Sequence, residues 1–199
     1  MKHILLGGLA GGVILFVWGF LAWTVLPLHN ASLRPIENED RVTEVLSTNI
    51  GAHGVYKFPA NPAEDEELSA EEQQLATDEW MKKMQHGPTG MIIYDPHGTD
   101  PMMSGQMLSG FIINLVSALF TAWLLSRSTA LTGSFLSRVA YCGVLGILIS
   151  VSSHLMNWNW LGFPLDYTSA MVTDTVISWL LAGLGIAAIV RAPGETAAA

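Results

Sequence analysis

A single cysteine, Cys142, stands among 199 residues, so no disulfide can form within the chain and a disulfide-stapled domain is excluded. Charge is scarce as well: Asp, Glu, Lys and Arg make up 13% of the residues, against about 25% in ordinary soluble domains. Basic side chains are the scarcer kind, 9 against 17 acidic, and a net charge of −8 gives no footprint for a nucleic acid partner. No Gly-x-Ser-x-Gly elbow presents a nucleophilic serine. The loop His86-Gly87-Pro88-Thr89-Gly90 lacks the lysine and the following helix that a phosphate cradle needs. With no convergent catalytic set, the chain is not expected to be an enzyme or to carry a cofactor.

What the chain has in abundance is uninterrupted apolar sequence. Half of its residues are hydrophobic, and they fall in four blocks at 4–26, 108–125, 139–156 and 169–190. Each block is near or above the roughly 18 residues that suffice to cross a bilayer. The expected fold is an all-α integral membrane protein with four transmembrane helices and a small, mostly helical extracytoplasmic segment between the first and second. The expected divisions are a signal-anchor helix at 1–26, an acidic segment at 27–105, a three-helix bundle at 106–191 and a disordered tail at 192–199. The first block is too long for the ~7–15 residues of a signal-peptide core, and no small-residue cleavage site follows it, hence an uncleaved anchor.

Charge sets the expected orientation. Residues 27–105 hold 14 acidic and 5 basic side chains, whereas the rest of the chain holds 3 and 4. The short loop 126–137 has Arg127 within it, Arg138 at its boundary and no acid, so the positive-inside rule places it in the cytoplasm with Lys2 and Arg191. Both termini are then cytoplasmic and 27–105 lies outside, with the bacterial inner membrane the expected location. Residues 157–168, carrying Trp158, Trp160, Phe163 and Tyr167, read as an outer loop in the interfacial aromatic belt.

Within 27–105, a short helix is expected over 37–49, with Val42, Val45 and Leu46 on one face. Gly51, Gly54, Pro59 and Pro62 then break the chain, and Glu64, Asp65, Glu66 and Glu67 form an acidic run read as a solvated surface or a helix start. Ser69 with Glu72 three residues on fits a capping box opening a helix to about Gln85. Met91 to Tyr94 has strand composition, closed by the turn Asp95-Pro96-His97-Gly98. So few apolar residues cannot build much of a core, and the segment is expected to lean on the helices or on a partner.

The candidate site centres on Asp174, the only formal charge in the last block. A carboxylate at membrane depth costs about 2.5–3.5 kcal/mol on insertion scales and normally faces a partner inside a bundle. Small or polar residues recur at helical spacing: Gly110, Asn114, Ala118 and Ala122; Cys142, Gly146, Ser150 and His154; Asp174, Ser178, Ala182 and Gly185. Topology then predicts a polar cluster of Asn114, His154 and Asp174 in the outer half of the bundle, with Asp174 about 9 Å from the outer end of its block. These three either satisfy one another and set helix register or form a proton or ion site. Blocks two to four offer no ionisable group toward the inner side, which argues against a pump acting alone.

Gly7, Gly8, Gly11 and Gly12, with Gly146 and Gly185, are expected at close helix contacts. Met81, Met84, Met91, Met102, Met103 and Met107 cluster in sequence with His86 and His97. Thioether and imidazole suit Cu(I), but methionine is also an adaptable packing residue. Asp95, His97 and Asp100 fit a turn better than a hard-metal triplet, because Pro96 and Gly98 lie between them. The leading expectation is a non-enzymatic accessory or interaction subunit of a membrane complex, contacting the lipid bilayer and a membrane protein partner or further copies of itself. Its alternatives are a small oligomeric transporter or channel using Asp174 and His154, and periplasmic copper handling by Met81, Met84, His86, His97, Met102 and Met103.

Overall fold

The computed structural model describes residues 1–62, 68–128 and 134–191. The acidic run at 64–67, the centre of the basic loop at 129–133 and the tail at 192–199 lie outside the described residues. The chain is mostly helical, and four of its helices are long and apolar enough to cross a membrane, which is compatible with a multi-pass membrane protein. It divides into two compact units, Met1–Arg34 with Asp100–Ala199, and Pro35–Thr99.

The first unit contains helices α1 (Lys2–Thr24), α4 (Ser104–Arg127), α5 (Phe135–Ile149), α6 (Leu155–Leu161) and α7 (Leu165–Ile189). A π-turn at Ser150–His154 joins α5 to α6, so that the third long helix runs as one rod over Phe135–Leu161. Helix α1 packs along both α4 and α7, and α5 packs along α7, whereas α4 and α5 scarcely touch. The bundle is inverted relative to a water-soluble one. Leu5, Leu9, Val13 and Phe20 of α1 face outward while Gly7, Gly8, Gly11 and Gly12 are buried. Small residues inward and large apolar ones outward is the pattern of helices that meet in lipid, where close backbone approach supplies the contact energy.

The two glycine pairs of α1 serve two neighbours. A Cβ on Gly12 would lie 2.8 Å from Leu115 Cα, and one on Gly8 would lie 2.9 Å from Leu119 Cα, so this pair admits the α4 backbone. Gly7 meets Val190, the residue that follows α7, at 2.5 Å, and Gly11 meets Ile186 of α7 at 2.6 Å by the same measure. Gly185 of α7 takes the end of Ile14, and Gly146 of α5 takes Trp179 Cβ at 2.9 Å. These six glycines thus lie at contacts within the chain. The core they permit contains Leu15, Ala118, Ala122, Leu125, Cys142, Trp179, Ala182, Ile186 and Val190.

Two boundaries differ from expectation. The aromatic outer loop expected at 157–168 is largely helix: α6 runs to Leu161, Gly162 turns the chain at φ 72°, and α7 starts at Leu165 behind Pro164. Glycine supplies the left-handed turn at no steric cost, and proline cannot donate where the next helix begins. Arg138, expected at the edge of the basic loop, is buried in the first turn of α5 and its Nε donates to Ala187 O at 3.3 Å. It thereby serves a last-turn carbonyl of α7 that has no helical partner.

The second unit holds α2 (Glu39–Asn49), β1 (Gly54–Phe58), α3 (Ala70–His86) and β2 (Gly90–Tyr94). The strands pair antiparallel, Gly54 opposite Tyr94 and Phe58 opposite Gly90. The chain is therefore not all-α. The expected strand at Met91 to Tyr94 is present, but β1 falls where Gly51, Gly54 and Pro59 suggested only breaks. Between those residues Val55, Tyr56 and Phe58 carry β-branched and aromatic side chains that suit a pleated surface. Helix α3 starts as expected: Glu72 N donates to Ser69 Oγ at 3.4 Å and Ser69 N to Glu72 Oε2 at 3.0 Å, a complete capping box.

Candidate polar site in the helical unit

Asp174 lies nine residues into α7, about 14 Å along the axis at ~1.5 Å per residue. This is deeper than the block boundary suggested, because α7 begins at Leu165. Its carboxylate is 13% exposed and accepts from two sides. Trp18 Nε1, on α1, donates to Oδ1 at 2.6 Å, and His29 Nε2 stands 3.1 Å from Oδ2. A carboxylate can only accept, so the ring nitrogen facing it carries the hydrogen.

His29 was expected in the aqueous segment. Instead the chain after α1 turns back, with Ser32 N, Ser32 Oγ and Leu33 N all donating to His29 O, and brings the ring against the helices. The ring is 2% exposed and stacks on Trp23, with centroids 3.9 Å apart and planes at 12°. Arg34 Nη2 holds the end of this segment to Asp166 Oδ2, in the first turn of α7, at 2.9 Å. That pair is exposed and adds little by itself. The sandwich of Trp23, His29 and Asp174 fixes the segment.

The predicted cluster is therefore rearranged. His154 does not pair with Asp174; its Nε2 meets Thr175 Oγ1 at 2.9 Å, one residue further along α7. The π-turn that ends at His154 accounts for part of this. An extra residue in a turn redirects the side chains that follow, and such turns recur at functional sites. Asn114 lies on α4 and shares a cleft of about 310 Å³ with Asp174. Ser117, Thr175 and Ser178 also line it, together with the apolar Leu15, Ile149 and Trp179. The side chains of Asn114 and Ser117 have no hydrogen-bond partner among the described residues. Gly110, one turn from Asn114, has nothing within 4 Å of a Cβ position, so this end of the α4 stripe faces open space and not a packed neighbour.

The cleft is lined from α1, α4 and α7, with Ile149 the one contribution of α5. Toward the other end Leu125, Cys142, Ile186 and Val190 are almost completely buried and close it. Among the described residues no further carboxylate follows Asp174 into that closed half along α4, α5 or α7; its cations are Arg127, at the end of α4, and Arg138, which is engaged with Ala187 O.

The sulfur and imidazole residues come together less. Met81, Met84, Met102 and Met103 are all exposed, His86 Nδ1 is occupied with Lys82 O at 2.7 Å, and Met102 and Met103 belong to the helical unit, not to Pro35–Thr99. Among the described residues no three His, Cys, Asp or Glu side chains form a metal-ready group. Asp95 Oδ1 accepts the His97 N–H at 2.9 Å, and His53 Nδ1 lies 3.3 Å from Oδ2. The His97 backbone N–H, then His53, hold the Asp95 carboxyl below its ordinary value. Asp100 accepts from Met102 N and Ser104 N at the start of α4. Both aspartates serve turns.

Comparison with protein families, curated proteins and solved structures gives no match to this chain. The class defined by the fold is a mostly helical protein with four helices able to cross a membrane, and the site defines it further by one carboxylate held between a tryptophan and a stacked histidine.

Proposed function

We propose that this chain is a non-enzymatic accessory or interaction subunit of a membrane complex, with residues 35–99 as its contact surface. One observation carries the reading: α2, α3 and a strand pair are formed between Pro35 and Thr99, yet none of the described residues there is buried. A two-stranded sheet alone is marginal in water. Val55 and Ile93 stand opposite each other in the ladder at 64% and 75% exposure, and the sheet has no third strand among the described residues. An unpaired strand edge with an apolar face is a template for a further strand or an apolar partner surface. The acidic surround favours a partner with a basic rim.

Lys2, Arg127 and Arg191 support a cytoplasmic position for both termini, with 35–99 outside the bacterial inner membrane. The glycine faces of α1 are used within the chain, so the outer unit, not those faces, is the surface offered to a partner. The test is extraction of the full chain in mild detergent, followed by crosslinking and size analysis. The expected result is a discrete complex that disappears in the Val55→Asp/Ile93→Asp variant while the helical unit still runs as a folded particle. A wild-type protein that remains a monomer and captures nothing removes the reading.

The second reading, a small oligomeric transporter or channel, is favoured by the polar cleft at Asp174. The closed inner half of the bundle counts against a path through one copy. Flux in reconstituted vesicles that Asp174→Asn leaves unchanged would dispose of it.

A further inference from the structure

We infer that the cleft lined by α1, α4 and α7 is a binding site for a small monovalent cation, taken up by Asp174 with the neutral oxygens of Asn114, Ser117 and Ser178. This does not depend on the partner reading.

Charge comes first. Among the described residues Asp174 is the only acidic or basic side chain lining the cleft. Its two donors do not cancel its charge. The Trp18 indole is neutral, and His29 presents Nε2 to the carboxylate while Nδ1 is buried with no hydrogen-bond partner among the described residues. A doubly protonated ring would place an N–H at Nδ1 with nothing to accept it, so hydrogen-bond accounting favours the neutral ring. One negative charge is then left at the cleft.

The lining is rich in acceptors. An ionised carboxylate offers about four lone-pair sites, of which Trp18 and His29 occupy two. Ser178 Oγ gives its hydrogen to Thr175 O at 2.9 Å, which leaves its oxygen lone pairs for another donor or for a cation. The Asn114 amide and Ser117 hydroxyl are uncommitted among the described residues. Thr175 differs, since its hydroxyl is engaged by His154. Oxygen donors around one carboxylate select hard cations.

Charge number and size narrow the class. A single carboxylate balances one positive charge, whereas divalent ions in protein sites draw on several carboxylates. A cleft of about 310 Å³ holds on the order of ten waters at roughly 30 Å³ each. It admits an alkali ion with part of its hydration shell, or a small ammonium. The experiment separates these two.

The full-length protein in lipid nanodiscs is titrated with NaCl, KCl or methylammonium chloride while the infrared carboxylate bands are followed, and the Asp174→Asn spectrum is subtracted. A saturable band change is expected with at least one of the three, and the cation that saturates lowest identifies the inorganic or the ammonium arm. Asn114→Ala and Ser117→Ala each raise the half-saturating concentration about fivefold, the weight of one neutral ligand. No saturable change with any of the three cations overturns the proposal, as does an Asp174 band at the protonated carboxyl position that none of them removes. Should Asp174→Asn not fold, wild type is compared directly with Asn114→Ala, whose carboxylate is intact: a fivefold shift supports the site and an unshifted titration overturns it. Partner capture by residues 35–99 is measured separately, so either result leaves that reading to its own test.

Discussion

In the helical unit the buried positions belong to glycine, alanine, cysteine, a few large apolar side chains and the polar His29, Thr121, Arg138, Ser150 and Thr168, whereas between Pro35 and Thr99 no described residue is buried and the elements rest on caps, turns and one strand pair. The first unit is specified by close approach of distant segments, the second by short-range hydrogen bonds. A mutation in the first should therefore be felt through volume, and a mutation in the second through a lost local bond.

The largest effect is expected where backbone meets backbone. Gly12→Ala puts a methyl 2.8 Å from Leu115 Cα, and should cost about 3 kcal/mol, the upper end for overpacking, in reversible unfolding from mixed micelles. Gly19, on the same helix, has nothing within 4 Å, and Gly19→Ala should change stability by no more than about 0.5 kcal/mol. Equal costs at the two positions would break the claim that close approach, and not glycine content, organises the bundle.

The polar site gives the next contrast. His29→Ala removes a hydrogen bond to a charged acceptor and should cost about 2 kcal/mol, read in the same unfolding assay. His154→Ala loses one neutral contact between helices and should cost about 0.6 kcal/mol. A reversed order would restore His154 as the main partner of this face.

In the Pro35–Thr99 unit Ser69→Ala should cost α3 about 1 kcal/mol, seen as faster amide exchange in its first turn with the bundle unchanged. Acid should act on the same unit through Glu72 and Asp95. Side-chain and backbone hydrogen bonds from Ser69 hold Glu72 below its ordinary value of 4.5, and the His97 N–H holds Asp95 below 3.8. A lowered carboxyl contributes stability that is fully present above the ordinary value and is lost as pH falls through the folded one. The Ser69 amide resonance should thus keep its folded position down to about pH 4.5 and the Asp95 carboxyl resonance its ionised position down to about pH 3.8, with loosening of α3 and of the Asp95 turn only below these values. Movement above either value would contradict the assignment.

The long helices were legible because block length and hydropathy are local properties. So was the capping box, whose partners stand three residues apart. The partner of Asp174 was not. His29 lies 145 residues away in sequence, behind Pro27, where the apolar run ends and an aqueous segment reads as beginning. The available hints were the continued apolar character of Leu26 and Leu28 and the nearby Trp23, none of which points to Asp174. His154 was assigned by extending a regular helical stripe, and the π-turn at Ser150–His154 breaks that regularity. Strand β1 was hidden because flanking Gly and Pro residues are strong local signals and a partner strand 36 residues on is not.

Composition and periodicity alone settle that this chain is mostly helical with four stretches able to cross a membrane, since the free energy of apolar transfer depends on length and residue type. Tertiary structure decides which side chains share the carboxylate's surroundings and where the bundle stays open. Those follow from backbone separations of a few ångströms at Gly8, Gly12, Gly146 and Gly185, and from a segment after α1 that folds back to bury His29, contacts whose energy exists only when distant parts of the chain meet.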